Sequence, residues 1–104
     1  MLLTETLPSL AVELEELLKK EGHVDLAAQI SGLKIVDRCR CGDDFCASFY
    51  TEQKPQGAYG AGHRCVELEP KAGMLILDVV VDKIVHVEVL YRHDIREKLL
   101  ASFP

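Results

Sequence analysis

The sequence predicts an α+β fold: an N-terminal helical pair, an antiparallel sheet of about five strands and a C-terminal helix. Three observations carry this. Leucines recur at helical spacing from Leu7 to Leu18. From Leu33 onward the apolar period changes to two. A helical pattern returns after Asp94. With 104 residues and no internal repeat, low-complexity stretch or linker, residues 1–104 read as one domain.

The first helix is expected from about Thr6 to Glu21. Leu7, Leu10, Leu14, Leu17 and Leu18 make one apolar stripe. Pro8 is tolerated in the first turn, where its missing N–H has no partner in any case. Glu15 with Lys19 and Glu16 with Lys20 support the polar face, and Gly22 is a natural stop. A short second helix follows, capped by Asp25, with Leu26 and Ile30 inward and Gly32 at its end.

Ile35 to Cys41 and Cys46 to Thr51 read as strands around a turn at Gly42-Asp43-Asp44. Gln53 to His63 holds three glycines and a proline and reads as a loop. Arg64 to Glu69 is the third strand. Met74 to Val81 and Ile84 to Leu90 follow as a hairpin with a tight turn at Asp82-Lys83. That turn would set Val79 opposite His86 and Leu77 opposite Glu88. The other face would then carry Met74, Ile76, Asp78, Val80, Val85, Val87 and Val89. Both faces would be mainly apolar, so the second is expected to be covered by the last helix or by a second copy of the chain. A homodimer through the Met74–Leu90 hairpin face is the expectation that follows. The last helix has Asp94 as expected N-cap, Glu97 completing a capping box, and Ile95, Leu99 and Phe103 inward.

Composition narrows the function classes. Apolar residues are 48% and charged residues 28%, the balance of an ordinary folded domain, and without Trp the core must be aliphatic. A net charge of −5 argues against nucleic acid, which needs clustered Lys and Arg, and against an anionic membrane surface. Met1 to Leu10 lacks a positive leading region and is interrupted by Glu5, unlike a signal peptide, and no apolar run approaches the roughly 20 residues of a membrane span. A cytoplasmic protein is expected, with its four cysteines as thiols or metal ligands before disulfides.

The densest chemical signal is Cys39, Cys41 and Cys46. Cys39 and Cys41 are two apart and share a strand face, and Gly42 lets the chain bring Cys46 back toward them. Three soft thiolates then converge on one point. Zinc takes four such donors, and the fourth is expected from His63 or Cys65 after the glycine-rich loop. Arg38 and Arg40 flank the thiols and would favour thiolates. The spacing is C-x-C with C-x4-C rather than paired C-x2-C knuckles, and small buried thiols near a turn are the plain alternative. A thiol enzyme would use His63 or His86 as base, and no C-x-x-C motif is present. Gly57 to Gly62 matches neither a dinucleotide fingerprint nor a P-loop. His86 and Glu88 alternate on one strand face, and Asp78 stands among apolar residues.

The segment Cys39 to Thr51 (CRCGDDFCASFYT), the glycine-rich loop, and the hairpin Leu75 to Leu90 together resemble small uncharacterised bacterial proteins, domains of unknown function. The resemblance implies no activity. The first reading is therefore a non-catalytic binding or interaction protein, with zinc at the cysteine cluster as a structural staple. Two alternatives stay open: a thiol- or zinc-dependent enzyme using Cys39, Cys41 and Cys46, and an acidic inhibitor of a basic protein.

Overall fold

The computed structural model describes residues 1–104. In chain order the elements are α1 (Leu3–Thr6), α2 (Pro8–Lys20), α3 (Val24–Ala27), a 3-10 turn (Ile30–Gly32), β1 (Asp37–Arg38), β2 (Phe49–Tyr50), β3 (His63–Leu68), β4 (Met74–Val80), β5 (Lys83–Leu90) and α4 (His93–Ser102). The α+β fold is as expected: short helices first, a five-stranded antiparallel sheet, and a helix last. No helix is long and apolar enough to cross a membrane.

The first helix is two. Leu7 leaves the helical region (φ −132°, ψ 64°), because a residue preceding proline is disfavoured there, and the helix restarts with Pro8 in its first turn. At the other end Gly22 adopts φ 87°, His23 N–H donates to Leu18 O at 2.7 Å and Gly22 N–H to Lys19 O at 3.2 Å. This paired closure satisfies the last carbonyls. Asp25 and Asp94 lie inside the first turns of α3 and α4 rather than at their caps, and Glu97 pairs with His93 at 3.0 Å instead of closing a capping box.

One core of 23 buried apolar residues joins the helices to the sheet. Leu10, Leu14 and Leu18 of α2 face Val66, Leu75, Leu77, Val79, Ile84, Val87 and Val89 from the strands. Arg92 donates to both carboxylate oxygens of Glu13, at 2.8 and 3.1 Å, and ties the start of α4 to α2.

The sheet order is β1-β2-β5-β4-β3. The Glu52–Gly62 loop therefore carries the chain from β2 past two strands to the far edge. β1 and β2 are shorter than expected. One cause is Ser48, whose Oγ takes the Val89 N–H at 2.9 Å and so replaces a ladder carbonyl.

The hairpin register differs from the sequence reading. The turn lies at Val81-Asp82, both at positive φ (46° and 63°), with Val80 opposite Lys83. Gln29 holds this glycine-free turn, donating to Asp82 O at 2.6 Å and accepting from Ile84 N–H at 3.0 Å. Val79 pairs with Ile84 and Asp78 with His86, which leaves Val85 as a bulge. The bulge has an outside partner: Val85 O accepts from Thr51 N–H at 3.0 Å and Glu52 N–H at 3.3 Å. A one-residue shift moves side chains to the opposite face. Leu75, Leu77, Val79, Ile84, Val87 and Val89 thus face the core, while Met74, Ile76, Asp78, Val80, His86, Glu88 and Leu90 share the outer face. That outer face carries a polar centre of Asp78, His86 and Glu88 among Met74, Ile76, Val80 and Leu90.

Candidate metal centre

The three cysteines predicted to converge do so. Cys39 follows β1 and is fixed by its N–H to Ser48 O at 2.8 Å. Gly42 turns the chain at φ 84°, and Cys46 N–H closes the turn on Asp43 O at 3.2 Å. Cys46 then stands opposite Leu90 at the margin of the sheet. The sulfurs of Cys39, Cys41 and Cys46 lie within 4.8 Å of one another. Sulfurs around a tetrahedral zinc with bonds of about 2.3 Å stand about 3.8 Å apart, so only a small contraction separates this arrangement from a metal-bound one. A cavity of about 30 Å³ adjoins them, lined also by Arg38, Asp43, Ser48 and Arg96. It has room for one water or one ion.

The thiols are unequal. Burial pushes Cys39 up to about 11. Burial also opposes ionisation of Cys46, but hydrogen bonds from the Ser48 side chain and backbone and from Cys41 and Cys39 outweigh it, and Cys46 is held below the ordinary thiol range. The expected source of thiolate stabilisation was the flanking arginines, and here the structure differs. Arg40 is engaged by Asp37, at 2.9 and 3.2 Å, and Arg38 Nε donates to Phe103 O at 2.5 Å. Ser48, whose role the sequence did not signal, does this work instead.

His63 and Cys65 are not beside this cluster. They stand on β3, three strand spacings from β2, or about 14 Å. There they join a second group, His63, Cys65 and Asp78, whose donor atoms also lie within 4.8 Å of one another. His63 Nε2 is 2.8 Å from Asp78 Oδ1, Cys65 Sγ donates to the same oxygen at 3.4 Å, and His86 Nδ1 is 2.8 Å from Asp78 Oδ2. Direct cross-strand pairing builds the row Cys65–Asp78–His86–Tyr50. Tyr50 packs its ring on His86 at 4.6 Å, and Tyr59 from the glycine-rich loop packs on His63 at 4.8 Å. Tyr50 is raised first by burial and then by negative charge from Cys39, Asp78, Cys46 and Asp37.

Burial opposes ionisation of Asp78, yet its hydrogen bonds with His63, His86 and Cys65 prevail and hold the carboxyl below the ordinary range. A depressed folded pKa gives stability that is full above the unfolded carboxyl value of about 3.9 and is lost as pH falls through the folded value. Asp78→Asn is therefore expected to cost about 1–3 kcal/mol near neutrality and much less at strongly acid pH. Urea denaturation at both pH values measures this, and an equal cost at each would contradict it.

Comparison with protein-family models, with curated proteins and with solved structures finds no match. Fold and site together define a small α+β domain with a three-thiol cluster that could hold a metal ion.

Proposed function

We propose that this is a non-catalytic, cytoplasmic metal-binding protein whose Cys39, Cys41 and Cys46 hold a structural zinc ion. The observation that carries this reading is the approach of three free thiols to within 4.8 Å around a one-ion cavity. Thiolates select soft or borderline ions such as zinc over calcium or magnesium. Zinc with three thiolates carries one net negative charge, and Arg96 on the cavity wall would balance it. The fourth position falls to water or to Asp43, which lines the same cavity. Such a staple would join β1, the turn and β2, a region with only two-residue strands to hold it.

Protein purified without an affinity tag or chelator is expected to contain zinc, with release of protons on binding and weaker affinity at lower pH. Elemental analysis and competition with a chromophoric chelator measure both. The zinc assigned here must be lost in the triple variant Cys39→Ser/Cys41→Ser/Cys46→Ser. An unchanged zinc content in that variant would overturn the assignment. A metal-free protein in which Cys46 alone reacts rapidly with alkylating agents would favour thiol chemistry, the reading that the lowered Cys46 supports.

A further inference from the structure

We infer that His63, Cys65 and Asp78 form a second metal site, separate from the three-cysteine cluster and open to solvent, for a borderline divalent ion of the zinc type. It shares no residue with the first site and does not depend on it. The donors are an imidazole nitrogen, a sulfur and a carboxylate oxygen, mutually within 4.8 Å. Neighbouring donors around a tetrahedral zinc stand about 3.3–3.8 Å apart. The His63–Asp78 and Cys65–Asp78 separations of 2.8 and 3.4 Å bracket the lower end of that range. An ion entering between them would need only sub-ångström adjustments.

Protons hold the donors in place meanwhile. The Cys65 thiol donates to Asp78 Oδ1, and His63 Nε2 shares the same oxygen. On binding, the thiol proton leaves to solvent and the imidazole carries its own proton on Nδ1. The ion then meets a thiolate, a neutral imidazole and a carboxylate, with release of one proton. The sulfur and nitrogen argue against calcium and magnesium, which take oxygen donors.

The framework is stiff. Cys65 and Asp78 are direct cross-strand partners, and His63 lies two residues before Cys65 on the same face. Behind the carboxylate, His86 holds the second oxygen of Asp78. The His86 side chain is only 13% exposed, and its Nε2 is buried without a partner. The bond to Asp78 is thus the one polar tether of a buried ring. An outer residue so placed orients a ligating carboxylate. Three protein donors with His63 and Cys65 exposed leave the fourth direction to water, the arrangement of exchangeable rather than closed zinc sites.

Cobalt is the probe, because a cobalt–thiolate bond gives a charge-transfer band in the near ultraviolet. In the full chain carrying Cys39→Ser, Cys41→Ser and Cys46→Ser, cobalt(II) is expected to produce this band with one equivalent per chain, and zinc to bleach it. Adding Cys65→Ser abolishes the band. His86→Ala keeps its shape but weakens affinity about 10–100-fold. Should the triple variant fail to fold, Cys65→Ser in the otherwise unaltered chain must lose one equivalent of bound cobalt. No band at millimolar cobalt, a band surviving Cys65→Ser, or an unchanged count in the unaltered background would each overturn the second site. None of these outcomes bears on the first.

Discussion

Phe49→Ala is expected to cost about 3–5 kcal/mol of stability, a large share of the roughly 5–15 kcal/mol available to a domain of this size. Phe49 is wholly buried and is the bulkiest side chain in the core. It sits in a strand of two residues between Arg38 of β1 and Val87 of β5. Truncation removes the aromatic packing and leaves a void that so short a strand cannot close by shifting, because Thr51 and Ser48 on either side are pinned to β5. The thermal midpoint should fall by on the order of 20 °C. The effect should also reach the chemistry. Ser48, which stabilises the Cys46 thiolate, and Tyr50, which packs on His86, are the immediate neighbours of Phe49. Leu14→Ala removes a similarly buried side chain in α2, far from either cluster in sequence and element. It should cost about 2–5 kcal/mol while leaving metal affinity intact at temperatures where the variant is folded. Calorimetry and metal competition on both variants test this. A Phe49→Ala protein melting within a few degrees of the parent would refute the packing role. Equal metal affinity in the two variants would refute the coupling of β2 to the clusters.

What could be read from the chain and what could not divide along a physical line. The α2 stripe and the Gly22 stop depend on residues within a few positions of each other, and local periodicity exposes them. The two hairpin strands were equally visible. Their register was not, because a bulge at Val85 is sustained by Thr51 and Glu52, and the turn by Gln29, all distant in sequence. That single shift decided the larger question. In the expected register Asp78 and His86 lie on opposite faces, and neither gains a partner. In the observed one they are bonded at 2.8 Å. The cysteine cluster was legible because Gly42 closes it locally. The fourth donor expected from His63 or Cys65 depended on strand order. β2 pairs with β5 rather than with β3, and the glycine-rich loop delivers those two residues to the opposite edge. Arg40 was misread for a smaller reason: Asp37, three residues earlier, captures it before it can serve the thiols.

Cys46→Ser is expected to weaken zinc binding at the first cluster by more than about 100-fold, or more than about 2.7 kcal/mol. The lower bound follows because even residues outside the coordination shell change affinity by 10–100-fold, and this substitution removes a donor. Cys46 is the member whose loss should matter most on geometric grounds. It is the one of the three thiols held below the ordinary range, with the Ser48 side chain and backbone favouring its thiolate, and its backbone is fixed to Asp43 and Leu90. Cys41 is exposed and less constrained by packing, so water can replace its sulfur with less disturbance, and Cys41→Ser should retain measurable binding. Ser48→Ala separates the two contributions of the neighbour. It leaves all three sulfurs in place but removes the hydroxyl that favours the Cys46 thiolate and frees the Val89 N–H, so affinity should fall by a smaller factor, about 10-fold. Chelator competition at fixed pH gives the three constants. If Cys41→Ser proved as damaging as Cys46→Ser, the sulfurs would be acting as equivalent donors, and the asymmetry built by Ser48 would carry no weight in binding.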